Sequence, residues 1–144
     1  MPDEEMNSER DFNERNIDEF RRNGGKVGGQ FEGFPLLLLT STGARSGAQR
    51  VNPVAYFDID GKIYVIASSA GRDRDPVWAH NIRANPTASV EIGSDAPRTV
   101  TAHELPRDER DRIYEIVVQR APGFGDYQTQ TDRIIPVFEL TPND

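Results

Sequence analysis

Three apolar runs of strand length crowd into the stretch from Pro35 to Ser69, and that crowding limits what this chain can fold into more than any other feature. Pro35–Ser41, Arg50–Phe57 and Lys62–Ser69 are rich in Leu, Val, Ile, Tyr and Phe, and Asp58-Ile-Asp-Gly61 supplies turn chemistry between the second and the third. The gaps are too short for crossover helices, so the three runs must pair as antiparallel neighbours in a β-meander. Downstream, Asp75-Pro76 reads as a helix start, with Asp75 as N-cap and Pro76 at the first helical position of Val77–Ala84, stopped by Asn85-Pro86. A strand from Thr87 to Ile92 forms a hairpin with Arg98–Leu105, in which Val100 and Ala102 share one face and Thr99, Thr101 and His103 the other. Pro106, Asp108 and Glu109 open a second helix whose Ile113, Ile116 and Val117 form a core-facing stripe as far as Arg120, and Ile135–Leu140 is the closing strand. At the other end, Asn7-Ser8 followed by Phe12, Ile17 and Phe20 predicts a short helix stopped by Asn23-Gly24-Gly25 and packed as a lid on the sheet. The order of helix, three strands, helix, two strands, helix and strand predicts a mainly β chain with flanking helices, its antiparallel strands mostly paired in sequence in a closed or half-closed barrel.

At 144 residues the chain has the length of one domain, expected over residues 9–144 behind a charged, mobile tail at residues 1–8. A net charge of −7 opposes a nucleic-acid face. The absence of cysteine removes disulfides, thiolate nucleophiles and thiolate metal sites, and His80 and His103 lack ligand spacing, so no metal is expected. No apolar run is long enough for a transmembrane segment or a secretory signal, which predicts a cytoplasmic protein.

The polar interruption between the first two strands carries the chemistry. Residues 41–52 place Arg45 and Arg50 with Gly43 and Gly47 in a loop, and guanidinium forks beside glycines with uncovered N–H groups suit a phosphate or carboxylate; a solvated hairpin loop is the plain alternative. The glycine-rich Gly24–Gly29 lacks the Lys-Ser/Thr ending of a P-loop, which excludes a nucleoside-triphosphate cradle, although Lys26 within it is placed to reach an anionic tail.

Thr40-Ser-Thr-Gly-Ala-Arg-Ser-Gly-Ala-Gln-Arg50, Pro53, Ala67-Ser68, Pro76-Val-Trp78 with Asn81, Asn85-Pro86 and Thr131-Asp-Arg-Ile-Ile-Pro136 stand in the order and spacing of one family. From about Asn16 to Pro142 the chain resembles the deazaflavin-dependent nitroreductases and the related F420H2-dependent quinone reductases. The resemblance implies a split β-barrel of the FMN-binding type. It also implies coenzyme F420, an 8-hydroxy-5-deazaflavin with a phospholactyl oligoglutamate tail, and hydride transfer from its reduced ring to a small electron acceptor. By the same resemblance, Gly43, Arg45, Ser46, Gly47 and Arg50 grip the phosphate and Lys26 meets the oligoglutamate. Pro53 and Val54 form the strand edge under the ring, Ala67 and Ser68 line its opposite side, and Trp78 and Asn81 stand behind. Ala44 and Ser69 depart from cationic residues common among relatives.

On the acceptor side, relatives that reduce nitroimidazoles carry tyrosines where this chain has Ala121, Phe124 and Tyr127, so one phenol remains. Ala121, Phe124 and Tyr127 are the expected acceptor pocket, Ser68 and Tyr127 the expected proton donors or orienting groups, and a quinone or activated alkene the leading acceptor ahead of a nitro compound. A non-catalytic F420 carrier and an FMN-dependent split-barrel oxidase are the rival readings, FMN being the less favoured cofactor. The assembly is expected to be a monomer or a homodimer.

Overall fold

The computed structural model describes residues 14–25, 35–68, 73–93 and 95–143. The expected tail at residues 1–8, Phe12, Lys26 and Ser69 lie outside the described residues. Helix α1 covers residues 14–22. It is followed by β1 (Leu36–Thr42), β2 (Gln49–Ile59), β3 (Lys62–Ile66), α2 (Val77–Ala84), β4 (Thr87–Ile92), β5 (Arg98–Glu104), α3 (Arg107–Arg120), α4 (Gly123–Thr129) and β6 (Val137–Pro142).

All strand pairs are antiparallel, and they close in the order β1-β2-β3-β6-β5-β4, with β4 returning to β1. The three early strands form the expected meander, and the two non-sequential pairings, β3 with β6 and β1 with β4, turn it into a barrel. The inward side chains of all six strands share one core, among them Leu37, Leu39, Val54, Val65, Val90, Val100, Phe138 and Leu140, and α2 adds Trp78, Ala79 and Ile82. A second core fills the space between the outer face of β2, β3 and β6 and the α3–α4 pair, through Phe57, Tyr64, Ile66, Ile113, Val117, Phe124 and Val137. Under α1, Ile17 and Phe20 rest on Leu36, Leu38, Val51 and Ala55. This explains why β1 reads as an unbroken Leu36–Leu39 run rather than an alternating one, because both of its faces are covered.

α1 is held at its far end by backbone contact and charge. Gly25, at φ +95°, lies so close to Gly93 that a Cβ on it would stand 2.7 Å from the Gly93 Cα, and Arg21 pairs with Glu91 at 2.9 Å. By contrast, the outer face of β1, β4 and β5 carries hydroxyls, including Thr40, Thr42, Thr87, Ser89 and Thr99, around an open groove of about 420 Å³. Among the described residues, no helix is long and apolar enough to cross a membrane.

Asp75 does not cap α2. Pro76 occupies the cap position with no side-chain cap bond, and the Asp75 carboxylate is engaged by Arg83 at 2.7 Å and Arg133 at 2.6 Å. Two guanidinium partners outcompete backbone N–H groups for one carboxylate.

Candidate cofactor cleft

The barrel is open along one seam. Pairing of β2 with β3 ends at Tyr56 and Val65, while β2 continues back to Gln49 with only β1 beside it among the described residues. The Tyr56 N–H donates to Pro35 O at 3.1 Å, so the even-numbered residues of β2 direct their backbone groups toward β1. Val51, Pro53 and Ala55 therefore direct theirs to the open side. Pro53 is tolerated inside a strand because its missing N–H falls on that side. Across the seam, Ala67 and Ser68 leave β3, the Ala67 N–H donating to Pro136 O at 2.9 Å.

At one end of the seam lies the loop between β1 and β2. It folds on itself: the Gly43 N–H donates to Ala48 O at 2.7 Å, the Gly47 N–H to Gly43 O at 3.0 Å, and the Ala48 N–H to Ser46 Oγ at 3.1 Å. The glycines thus serve the turn and do not offer their own N–H groups to an anion. Gly47 supplies φ +71°, and a Cβ on Gly43 would meet Ser46 Oγ at 2.7 Å. The Ala44 N–H is taken by Asn81 Oδ1 at 3.0 Å. Among the described residues, the Arg45 and Ser46 N–H groups have no backbone or side-chain acceptor, and the exposed guanidinium groups of Arg45 and Arg50 form no ion pair. Two adjacent N–H groups and two guanidinium groups that lack partners among the described residues, on a chain of net charge −7, are chemically suited to an anion.

Helix α2 fixes this loop from beneath. Asn81 is 3% exposed, and besides accepting from Ala44 it donates from Nδ2 to Ser41 Oγ at 3.2 Å; Asn85, one turn later, donates to Thr42 O at 3.4 Å. Asn81 thus holds the loop's backbone in place.

The opposite wall is tied to the same helix. Arg133 donates to Ser68 O at 2.8 Å and pairs with Asp75, which also binds Arg83; Arg83 reaches Glu104 at 2.8 Å. The hydrogen bond to Glu104 and then that to Asp75 raise the Arg83 pKa above its ordinary value, against its partial burial. Thr131 Oγ1 donates to Asp73 at 2.9 Å, so residues 131–133 grip both Ser68 and the approach to α2. Neither the Arg133 contact nor the ion pairs of Asp75 were singled out from the sequence, although Arg133 falls within a motif block and Asp75 directly precedes one.

The acceptor-side residues form a patch on α3–α4. Phe124 is buried, with its ring edge-on to Phe57 and to Tyr127, both at 5.5 Å, and its carbonyl accepts from Tyr114 Oη. Burial pushes the Tyr114 phenol up to about 12. Ala121 and Tyr127 are half-buried at the edge of this cluster, which also borders Ala55 of the open β2 segment.

Some expected contacts are differently placed. Trp78 is in the barrel core, edge-on to Phe138 at 6.1 Å; the Val54 side chain points into the same core and its backbone groups face β1, which leaves Val54 nothing at the open edge; and Ala67 is fully buried with its N–H already paired. The Phe124 ring is an interior part of the second core rather than a free pocket wall. His80 and His103 are exposed, and among the described residues no group of three or more His, Asp or Glu is placed to hold a metal.

Comparison with known proteins agrees with this fold. An F420H(2)-dependent quinone reductase of Mycobacterium tuberculosis is 36% identical over 129 residues, covering 85% of this chain and 84% of that protein. A solved F420-H2 dependent reductase, FDR-A, superposes with a TM-score of 0.64 at 39% identity, covering 74% of this chain and 93% of its own. A chain solved as a domain-swapped dimer gives a TM-score of 0.68 at 35% identity, covering 88% and 94%. The family model for F420H(2)-dependent quinone reductase matches residues 13–142, and the chain belongs to that family, whose cofactor is coenzyme F420.

Proposed function

We propose that this F420H2-dependent oxidoreductase reduces a quinone, with the deazaflavin ring lying along the open edge of β2 and its phosphate on the Arg45–Ser46 turn. The observation that supports this most is the coincidence, among the described residues, of two unsatisfied features along β2 and the loop that leads into it: the unpaired backbone edge at Val51–Ala55 and the cations Arg45 and Arg50, which form no ion pair. Coenzyme F420 fits both, since it joins a planar ring bearing carbonyl and N–H groups to a phosphodiester and an anionic tail. When bound and reduced, it supplies a hydride from the ring.

The protein's own residues bind, orient and exclude water. Arg45, Arg50 and the Arg45 and Ser46 N–H groups take the phosphate, and Gly43 and Gly47 shape the turn that presents them. Lys26 is assigned to the oligoglutamate. The Val51 and Ala55 N–H groups and the Val51, Pro53 and Ala55 carbonyls line the ring edge. Ser68 faces them, its carbonyl fixed by Arg133. Quinone reduction consumes a proton with each hydride, and the Ser68 and Tyr127 hydroxyls are the groups placed to hydrogen-bond the acceptor oxygen and pass that proton. Ala121 and Tyr127 border the acceptor, and the want of phenols at Ala121 and Phe124 favours a flat quinone over a nitro compound. By likeness to the relative solved as a domain-swapped dimer, we assign a homodimer to this chain, and we place it in the cytoplasm.

Fluorescence titration of the purified protein with F420 and with FMN, followed by mixing with reduced F420 and menadione, tests this reading. Selective F420 binding with menadione-dependent oxidation is expected. Binding without oxidation across several quinones would make the protein a carrier, and preference for FMN would remove the cofactor assignment.

A further inference from the structure

Between α4 and β6 the chain passes through residues 130–136 without forming a helix or a strand, yet this stretch backs the wall of the cleft across the seam from β2. Pro136 O accepts from the Ala67 N–H at 2.9 Å, and the Arg133 guanidinium donates to Ser68 O at 2.8 Å. Further backbone groups of the stretch are met by side chains of α3 and α4. The Gln128 amide donates from Nε2 to Arg133 O at 2.7 Å and accepts at Oε1 from the Ile135 N–H at 3.1 Å, while Arg110 Nε donates to Ile135 O at 2.9 Å. Residues 133 and 135 are two apart, the spacing at which an extended chain turns its N–H and C=O groups to one neighbour, so a single carboxamide takes the place of an adjoining strand. Gln128 is itself held, because Arg110 Nη2 donates to the same Oε1 and the buried Arg110 lies over the Tyr114 ring at 4.2 Å. The fully buried Ile135 side chain fixes how deep the stretch lies, and the two amide bonds, being directional, fix its rotation and so the direction in which Arg133 reaches.

Tyr127 directly precedes Gln128 and packs edge-on to Phe124 at 5.5 Å. α4 therefore carries one acceptor-side hydroxyl itself and holds the residue that bears the other, Ser68, through Gln128 and Arg133. We propose that Gln128 is a positioning residue that sets the separation of the Tyr127 and Ser68 hydroxyls, so that both address one acceptor oxygen. This rests on the roles given to Ser68 and Tyr127 above. Without the amide the two cores remain, but Arg133 and Ser68 are free to shift, and a displacement of about 1 Å in a reacting group costs up to about 100-fold in rate. The phosphate loop is held by Asn81 of α2, outside this chain of contacts.

The test measures menadione reduction by reduced F420, with kcat taken per F420-binding site so that any loss of folded protein drops out. Gln128→Leu is expected to lower kcat by about 10-fold or more while the Kd for F420 changes by less than about 3-fold. Gln128→Glu keeps the acceptor for Ile135 and Arg110 and loses only the donor to Arg133 O; it is expected to lower kcat in the same sense, and it carries the test if Gln128→Leu does not fold. Arg133→Ala should lower kcat as well, and adding either Gln128 substitution to it should lower kcat no further, because Gln128 acts through Arg133. Losses that multiply in the double variant overturn the proposal, and so does an unchanged kcat in the Gln128 variants, which would make the amide merely structural. Ser68→Ala and Tyr127→Phe separate this inference from the reading beneath it. If neither lowers kcat, the roles of the two hydroxyls fail and the proposal falls with them. If either does while the Gln128 variants do not, that reading stands and Gln128 alone is misassigned.

Discussion

Replacing Asn81 by alanine removes the link between α2 and the phosphate loop. Two interactions go at once: acceptance from the Ala44 N–H at 3.0 Å and donation to Ser41 Oγ at 3.2 Å, both in a setting where Asn81 is 3% and Ser41 1% exposed. The Ser41 hydroxyl loses only an incoming donor and can still donate its own proton, whereas the part-buried Ala44 N–H has no other acceptor among the described residues. One stranded donor and a small cavity together set the cost at about 2–3 kcal/mol of stability. The functional consequence is separable from this. Freed from Asn81, the turn no longer presents the Arg45 and Ser46 N–H groups in one direction, so affinity for phosphate-bearing F420 should fall by about 10-fold or more. Affinity for the phosphate-free fragment should change little. Urea denaturation gives the first quantity and paired fluorescence titrations the second. A stability change under about 0.5 kcal/mol with an unchanged F420-to-fragment affinity ratio would refute the assignment of Asn81 as the loop's support.

Three further outcomes follow from the same geometry. Arg45→Ala and Arg50→Ala should each weaken F420 by about 1.5–3 kcal/mol while shifting stability by no more than about 0.5 kcal/mol, because these guanidinium groups are exposed and unpaired before ligand arrives; titration and thermal melts together check both halves. Asp75→Asn should cost roughly 1–3 kcal/mol, since it weakens the bridge between Arg83 and Arg133 and loosens the grip on Ser68 O; denaturation and the KM for menadione report the two effects, and a change in neither contradicts the bridge. Tyr114 titrates near 10 when unfolded and at about 12 when folded, so the folded state favours the neutral phenol. Its contribution is fully present below pH 10 and is lost as the pH rises toward 12. Stability followed from pH 9 to 12 should decline less steeply in Tyr114→Phe, which also removes the hydrogen bond to the Phe124 carbonyl at a cost of about 1 kcal/mol at neutral pH.

The fold was legible where local chemistry and burial agreed. α2 and β4 begin and end where Pro76, Asn85 and Pro86 predict, because proline and helix-stop signals act through the backbone alone. β3 stops three residues earlier than its apolar run suggests: its pairing with β2 ends at Val65 and Tyr56, while Ala67 continues the β6 side through Pro136 O and Ser68 O is held by Arg133. α4 was missed because Gly123 and Gly125 break helical patterns; it forms through burial of Phe124 and the bond from Tyr114. The arginines of the loop were legible as exposed cations, whereas the roles of its glycines were not. Which N–H groups stay free depends on the turn's internal bonding, and no spacing rule encodes that. Trp78 and Asn81 share a helix face and looked equivalent from sequence, but the inward side of α2 enters the core at Trp78 and reaches the loop at Asn81.

A crystal structure of the protein with F420 bound tests the central claim most directly. The account predicts the phosphate against the Arg45–Ser46 turn and the Arg50 guanidinium, with the ring along Val51, Pro53 and Ala55 opposite Ser68. A ring found in the hydroxyl-lined groove of β1, β4 and β5, or a phosphate away from Arg45 and Arg50, would contradict it.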